Sequence, residues 1–293
     1  MKTLLFRALH RGLASAHRAT LRLDRLLSEA AVALCPPGFD RDATDAHYDS
    51  TRSYDAGQAQ AIGLYPFEER ALSAWFPRPP ARLFVPGAGG GRELLALLNR
   101  GYSVDALEPA PRLADAARQA LAMRGRSGDG SVWRESLEAW SAAPIGVYEG
   151  IFTGWGVWSH LLRREDRLAA LRAFRSACPR GPVLLSFWRR EPVFDPEELG
   201  EHTSLTLADA PLADAPLEGT PLARVQATTR GLLRTKLLRM PPVEPGTVWR
   251  AGLFVHCVSE AELAEEAAAC GYRIAHHERD ASRYPNAVLM PQS

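Results

Sequence analysis

A glycine cluster between an apolar run and a helical stretch constrains the fold of this chain more than any other feature. The sequence RLFVPGAGGGRELLALLNR places Gly87, Gly89 and Gly91 directly after a run that ends at Pro86. Glycine accepts positive φ and has no Cβ, so the backbone of such a turn can approach a bound ligand closely. The order of strand, glycine turn and helix predicts an open α/β sheet with a ligand-binding turn at one edge.

Short apolar runs alternate with helical stretches from Ala81 onward. This alternation favours parallel strands joined by right-handed crossovers, with helices on both faces of the sheet. The predicted strands in this part of the chain are Arg82–Pro86, Val104–Leu107, Ser131–Arg134, Val147–Thr153 and Pro182–Trp188. The predicted helices are Pro66–Trp75, Arg92–Arg100, Pro111–Arg124 and Arg164–Ala177.

The last part of the chain predicts a different kind of strand pairing. An ordered segment at Val248–Val258 and a helix at Ser259–Cys270 precede two final strand candidates, Tyr272–His276 and Ala287–Met290. These two candidates predict an antiparallel pair at the edge of the sheet. The expected fold class is therefore α/β: a Rossmann-like, doubly wound, mostly parallel seven-stranded sheet with an antiparallel edge pair and an N-terminal helical lid or extension.

Two segments lie outside the alternating pattern. Residues 1–65 are predicted to form an N-terminal helical extension and lid, whose first helix ends near Pro36-Pro37-Gly38 because proline lacks the N–H that a helix needs. Residues 66–293 form the main domain, with an irregular insertion at 189–250 that contains LADAPLADAPLEGTPLA. Arginines among leucines at the N-terminus favour a helix packed on this domain, and a membrane-surface helix or a transit peptide is the alternative.

Charge and cysteine usage restrict the partners. The chain has 35 basic and 34 acidic residues, so it has no overall field that would hold nucleic acid. No apolar run reaches the roughly 18 to 20 residues that a membrane span needs. The four cysteines form no C-x-x-C pair, as expected of reduced thiols in the cytoplasm. We therefore expect a cytoplasmic protein with a small-molecule substrate, no nucleic-acid partner and no integral membrane association; the oligomeric state stays open.

An acid after the second predicted strand indicates which kind of ligand the turn receives. Glu108 ends the run VDALE, and in a Rossmann-like sheet this position lies beside the first glycine turn. A carboxylate there can accept hydrogen bonds from both ribose hydroxyls of a nucleoside. The dinucleotide fingerprint G-x-G-x-x-G would need glycine where this chain has Arg92. The spacing G-x-G-x-G therefore favours a nucleoside ligand without a pyrophosphate.

The stretch PGAGGGRELLALLNRGYSVDALEPAP resembles the first motif and the acidic loop of class I S-adenosylmethionine-dependent methyltransferases, in particular bacterial members that read G-x-G-x-G-R-E. The resemblance spans roughly Tyr48 to Met290, and it implies S-adenosylmethionine as cofactor and S-adenosylhomocysteine as product. Many members carry an acid two positions before the first glycine, where this chain has Val85. The residue that receives the ligand's amino group is therefore not identified by the motif.

The resemblance also implies a set of cofactor-binding residues. In the family, the glycine turn cradles the methionine part of the cofactor, the acid after the second strand binds the ribose, and residues after the third strand lie near the adenine. The matching positions of this chain are Gly87, Ala88, Gly89, Gly91, Glu108, Pro109, Ser136, Leu137, Thr153, Gly154, Trp155 and, in the N-terminal lid, Tyr54.

Methyl transfer from a sulfonium to a nucleophile depends mainly on holding the two reactants together, and a general base is needed only when the acceptor arrives protonated. The candidate catalytic residues are His160 in WSHLL, His256 in LFVHCVSE and Tyr48 in the lid. The sequence has no H-E-x-x-H motif and no clustered cysteines, so no metal site is expected.

The predicted function is methyl transfer by in-line displacement to an oxygen, nitrogen or sulfur of a small molecule. The alternatives are an NAD(P)-binding oxidoreductase with the same fold and a methyltransferase-like domain that binds without catalysis, since a fold does not fix a function.

Overall fold

The computed structural model describes residues 26–51, 61–126, 128–190, 230–250, 252–278 and 285–292, together with residues 13, 16, 19, 20, 23 and 24. The predicted lid residue Tyr54, most of the insertion and most of the basic N-terminal segment lie outside these ranges. Within the described part of the chain, every helix is too short or too polar to cross a membrane.

Strands and helices alternate through the middle of the chain and are numbered here in chain order. The strands are β1 (Arg82–Pro86), β2 (Ser103–Leu107), β3 (Gly130–Trp133), β4 (Gly150–Thr153), β5 (Val183–Ser186), β6 (Trp188–Arg189), β7 (Thr247–Arg250), β8 (Leu253–Val258), β9 (Tyr272–Glu278) and β10 (Asn286–Pro291). The helices are α1 (26–34), α2 (Phe39–Ser50), α3 (Pro66–Trp75), α4 (Arg92–Leu98), α5 (Pro111–Met123), α6 (Leu137–Ala142), α7 (Arg164–Ala177) and α8 (Glu260–Ala269).

Seven strands form the main sheet, in the order β3-β2-β1-β4-β5-β10-β9. The five strands from β3 to β5 run parallel, whereas β10 is antiparallel to both β5 and β9. This sheet confirms the predicted fold class, including the antiparallel pair at one edge. A second, three-stranded sheet has the order β6-β8-β7. The predicted domain boundary at residue 65 stays a prediction.

The core lies on both faces of the main sheet because successive side chains of a strand point to opposite faces. In β1, Leu83 and Val85 pack into one buried cluster with the leucines of α4, and Phe84 packs into the other. Phe84 lies between the rings of Trp140 and Tyr148, at centroid distances of 4.4 and 4.9 Å. Because both faces of β1 are buried after Arg82, the run from Leu83 to Pro86 is apolar.

Some predicted strand bounds were wrong. The fourth strand begins at Gly150 rather than at Val147, whose side chain is exposed, and the backbone N–H of Tyr148 donates to the Ala177 carbonyl instead of to a strand. The segment Val248–Val258, for which only order was predicted, is part of a hairpin of β7 and β8, because the chain turns at Gly252, which has a φ of +89°.

Three further differences concern elements that the periodicity did not separate or did not reveal. The predicted strand Pro182–Trp188 divides into β5 and β6, since Trp188 pairs with Cys257 in the smaller sheet. Helix α6 was not predicted, although Ser136 marks its start: its hydroxyl oxygen accepts a hydrogen bond from the backbone N–H of Ala139. Helix α2 was not predicted either; its sequence is largely polar and none of its residues is buried.

Candidate ligand-binding site

The glycine turn lies at the carboxyl end of β1, and each of its predicted glycines has positive φ. The φ values of Gly87, Gly89 and Gly91 are +73°, +53° and +97°. A Cβ on Gly87 would lie 2.5 Å from a methyl carbon of Val157, so only glycine fits there without movement of its neighbour. Gly91 precedes α4 and packs against Ala117, so its role is to bring α4 close to α5.

A cavity of about 130 Å³ opens between the glycine turn, the end of β2 and helix α2. Eight of the predicted cofactor-binding residues line it, namely Gly87, Ala88, Gly89, Glu108, Pro109, Ser136, Leu137 and Trp155. The other lining residues are Thr44, Asp45, Tyr48, Gly90, Arg92, Glu93, Leu107, Ala110, Leu113, Glu135, Glu138, Val157, His160 and Leu161. The cavity therefore lies at the carboxyl ends of the parallel strands, where open α/β sheets bind ligands.

Glu108 joins the acidic loop to the glycine turn. Its two carboxylate oxygens accept hydrogen bonds from the backbone N–H of Gly89 at 2.7 Å and from that of Ala110 at 2.9 Å. Burial raises the pKa of Glu108 to about 7, while these two hydrogen bonds favour the ionised form and the charges of Glu93 and Asp45 oppose it. The ionised carboxylate has remaining lone pairs for further donors from the cavity.

A buried ion cluster of Arg92, Glu68 and Glu93 lies beside the cavity, and Arg92 and Glu93 line it. The guanidinium of Arg92 donates to both carboxylate oxygens of Glu68 at 2.7 Å and also contacts the carboxylate of Glu93. Burial by itself would lower the pKa of Arg92, but the two carboxylates hold it above its ordinary value. The same guanidinium lies 4.6 Å from the ring centroid of Tyr65 and 5.1 Å from that of Trp155. Arg92 therefore fixes the start of α3, the start of α4 and the segment after β4 in one place.

The charges of the described lining are mostly negative. Five acids line the cavity, and the one arginine among its lining residues is already bonded to carboxylates. The acids are Asp45, Glu93, Glu108, Glu135 and Glu138. Such a lining favours a cationic ligand and disfavours phosphates.

Tyr48 and His160 meet in this cavity, as candidate catalytic residues should. The Tyr48 hydroxyl lies 2.8 Å from Nε2 of His160. Burial lowers the pKa of His160 to about 4, with a smaller contribution from the nearby His47, so the ring is neutral at pH 7. Nδ1 of His160 is buried and has no hydrogen-bond partner within the described ranges. Arg112 holds the end of α2 in place by donating to the backbone carbonyls of Tyr48 and Asp49, at 3.0 and 3.1 Å.

Four predicted cofactor-binding residues do not line the cavity or are not described. Gly91 packs between helices, and the hydroxyl of buried Thr153 donates to the Leu184 carbonyl at 2.7 Å. Gly154 lies against the Glu93 side chain, since a Cβ there would come within 2.2 Å of a Glu93 carboxylate oxygen. Tyr54 lies outside the described residues.

His256 does not lie in the cavity, which removes the geometric basis for its predicted catalytic role. Its Nε2 lies 2.8 Å from a carboxylate oxygen of Glu262, within a separate buried ion network. In that network Arg167, whose side chain is 0% exposed, pairs with Glu262 at 2.7 Å and with Glu266 at 2.8 Å. Burial lowers the pKa of His256, and the Glu262 hydrogen bond opposes that shift. The network joins α7, β8 and α8.

Sequence reasoning missed the contribution of Glu93 and of helix α2. Arg92 was identified from the sequence only as the residue that breaks the dinucleotide fingerprint, and the structure shows that its side chain turns into the buried cluster. The pair Arg92-Glu93 directly after the glycines was the available signal. Tyr48 was predicted as a lid residue, but Asp45 was not, and only the fold brings their largely polar helix over the turn.

Comparison with known proteins establishes the fold. The sequence matches no protein-family model and no curated protein. The structure is similar to that of the CcbJ methyltransferase from Streptomyces caelestis, with a TM-score of 0.55 and 16% identity over 85% of this chain and 96% of that chain.

Two further solved structures resemble it to a similar degree. One is the 1,6-didemethyltoxoflavin-N1-methyltransferase from Burkholderia thailandensis with bound 1,6-didemethyltoxoflavin and S-adenosylhomocysteine, with a TM-score of 0.53 and 15% identity over 89% of this chain and 92% of that chain. The other is the magnesium protoporphyrin IX methyltransferase from Synechocystis PCC 6803 with bound SAM, with a TM-score of 0.52 and 13% identity over 87% of this chain and 97% of that chain. At these identities the resemblance concerns the fold, which is that of Rossmann-like methyltransferases.

Proposed function

We propose that the protein transfers a methyl group from S-adenosylmethionine to a small-molecule acceptor in the cytoplasm. The observation that carries the proposal is the acidic cavity beside the glycine turn, in which Glu108 is fixed by the backbone N–H of Gly89. The neighbours bound to SAM and to S-adenosylhomocysteine support the choice of cofactor, and the charge balance of the chain supports a small acceptor rather than nucleic acid.

The residues present fit such a cofactor. Glu108 retains acceptor capacity for two ribose hydroxyls, and glycine at position 87 leaves room beside Val157 that a side chain would fill. The acidic lining matches a ligand whose sulfonium and ammonium groups are positive. A dinucleotide would bring a pyrophosphate toward these carboxylates, so the same lining disfavours an NAD(P)-dependent oxidoreductase.

S-adenosylmethionine supplies an electrophilic methyl group. The chain has to position the acceptor and, when the acceptor arrives protonated, accept its proton. The neutral ring of His160 can accept a proton at Nδ1, the buried nitrogen without a described partner. Tyr48, bonded to Nε2, would fix the orientation of that ring, which makes it a positioning residue. An acceptor with an acidic hydroxyl or another easily ionised group fits a base of such low pKa.

Ligand-dependent thermal unfolding tests the proposal. S-adenosylhomocysteine should raise the melting temperature, and the rise should grow with the logarithm of the ligand concentration above Kd, because a ligand that binds only the native state stabilises it. NAD⁺ and NADH at equal concentrations should not. Stabilisation by a dinucleotide but not by S-adenosylhomocysteine would refute the proposed cofactor. Binding of S-adenosylmethionine without methyl transfer to any tested acceptor class would favour the non-catalytic alternative.

A further inference from the structure

The buried cluster next to the cavity contains more negative than positive charge. Glu68 and Glu93 contribute two carboxylates, and Arg92 contributes one guanidinium. All three side chains are at most 2% exposed. A buried charge is costly unless an opposite charge compensates it. When both acids are ionised, the cluster therefore has one negative charge that these three residues do not balance.

The two acids are not equivalent within the cluster. Glu68 is bonded at both carboxylate oxygens by Arg92, and one of them also accepts from the backbone N–H of Tyr65 at 2.8 Å. Glu93 contacts Arg92 through one oxygen and, unlike Glu68, lines the cavity. Burial raises the pKa of Glu93, and the charge of Glu68 adds to this rise, whereas Arg92 opposes it. The unbalanced charge therefore belongs to Glu93, at the cavity wall.

Glu93 also lies at the edge of the sheet where the cavity opens. Its carboxylate packs against Gly154, the residue after β4, where a Cβ would collide with it. The glycine turn follows β1, and β1 pairs with β4, so Glu93 faces the same end of the sheet as Gly87. Val85, the position at which an acid was expected from the resemblance, is 0% exposed within the core.

We propose that Glu93 is the counter-ion for the ammonium group of the ligand's amino-acid portion and takes over the task of the acid that is missing at Val85. The inference rests on the proposed function, because it assumes a ligand that is both a nucleoside and an amino acid. Two contributions are then separated in space: Glu108 selects the nucleoside, and Glu93 selects the charged amino-acid end.

A double-mutant cycle between protein and ligand tests this assignment. The ligands are S-adenosylhomocysteine and the analogue that lacks only its amino group, and the proteins are the wild type and Glu93→Gln, all measured by titration calorimetry. The wild type should bind the analogue more weakly by about 10- to 100-fold, the loss expected for a hydrogen bond to a charged group. Glu93→Gln should bind the two ligands with affinities within about twofold of each other, since the coupling is lost.

Glu69→Gln is the matched control. Glu69 pairs with Arg100 and lies outside the cavity, so this variant removes a carboxylate of the same kind and should keep the wild-type ratio between the two ligands. Thermal unfolding of each variant checks that it is folded. The ratio of the two ligand affinities on the wild type does not depend on the folding of any variant.

The possible failures are distinguishable. Equal binding of both ligands by the wild type, or an unchanged ratio in Glu93→Gln, would overturn the role of Glu93 while leaving the cofactor in place. A wild type that binds neither ligand would overturn the proposed function and this inference with it.

Discussion

The carboxylate of Glu108 accepts a hydrogen bond from the backbone N–H of Gly89 at 2.7 Å. The acid at the end of β2 and the glycine turn after β1 therefore form one unit rather than two neighbouring features. A second hydrogen bond, from the N–H of Ala110 at 2.9 Å, leaves each oxygen with one backbone donor. Changes at Glu108 should consequently affect both the ligand and the turn.

Glu108→Gln should lower the affinity for S-adenosylhomocysteine by about 10- to 100-fold, because an amide group has one acceptor oxygen instead of two and carries no charge. Titration calorimetry at pH 8 measures this effect. Asp115→Asn is the control, since Asp115 pairs with Arg118 on the exposed face of α5 and lies outside the cavity. If Glu108→Gln bound the ligand as tightly as this control, the carboxylate would not be the ribose acceptor.

The affinity for S-adenosylhomocysteine should also depend on pH. The pKa of Glu108 is raised to about 7 in the ligand-free protein, and ribose hydroxyls bind the ionised form better. Binding therefore lowers this pKa, so the affinity should be full above pH 7 and should fall as the pH drops below 7. Titrations from pH 5.5 to 8.5 measure the slope, and Glu108→Gln should change it by removing the contribution of Glu108, leaving that of Glu93, whose pKa is also raised. An affinity that rises toward low pH would contradict the assignment.

Two glycines of the turn should differ in their tolerance of a methyl group. A Cβ on Gly87 meets Val157 at 2.5 Å, whereas a Cβ on Gly89 has no described atom within 4 Å. Both residues have positive φ, so both substitutions carry a backbone cost of about 1 to 2 kcal/mol. Gly87→Ala should cost about 1 to 3 kcal/mol more because of overpacking. Urea unfolding of the two variants gives the difference, and equal stabilities would show that Val157 moves freely.

His160 should stay neutral across the physiological pH range. Burial lowers its pKa to about 4, and no carboxylate among its described contacts compensates for that shift. Imidazole NMR signals from pH 8 down to pH 5 should therefore include a His160 signal that does not titrate, assigned by its absence in His160→Gln. A titration midpoint near 6.5 would mean that the ring is solvated and would remove the argument for a desolvated base.

Arg167 should be among the most sensitive positions for stability. Its removal takes the guanidinium at 2.8 Å away from Glu266, which is 0% exposed, and leaves Arg164 at 3.9 Å, so Arg167→Met should lower the free energy of unfolding by about 3 to 5 kcal/mol. Arg163→Met should cost less than about 1 kcal/mol, since Arg163 is exposed and pairs with Asp166 at the surface. Urea unfolding compares the two, and similar losses would contradict the role given to burial.

The order of elements in the main sheet was predictable because each has a strong local pattern. The bounds of β1, α3 and α7 agree with the predicted ones, since a proline or a charged turn marks their ends. The start of β4 was not predictable, because Val147 is apolar yet exposed and only the tertiary hydrogen bonds decide where pairing begins. The hairpin of β7 and β8 was not predictable for the same reason, because only the hydrogen bonds of the folded chain show where its two strands pair.

The candidate site was predictable where its residues follow the carboxyl end of a strand and, through the family resemblance, at the lid residue Tyr48. Glu108 follows from its place after β2, and the glycines follow from the turn. The inward turn of Arg92 depends on Glu68, which is far away in sequence, and the position of His256 depends on Glu262 and Arg190. Residues whose roles are set by distant partners need the folded structure to be assigned.

The placement of β10 has a consequence for the order of events during synthesis. β10 lies between β5 and β9, so the strand that is translated last among the seven occupies an interior position of the sheet. While the ribosome is still adding residues up to 278, β9 has no neighbour in the sheet, and one edge of β5 is unpaired. An unpaired strand edge invites association with other chains. The nascent chain therefore passes through a period in which it needs protection, and that period ends only when residues 286–291 have left the exit tunnel.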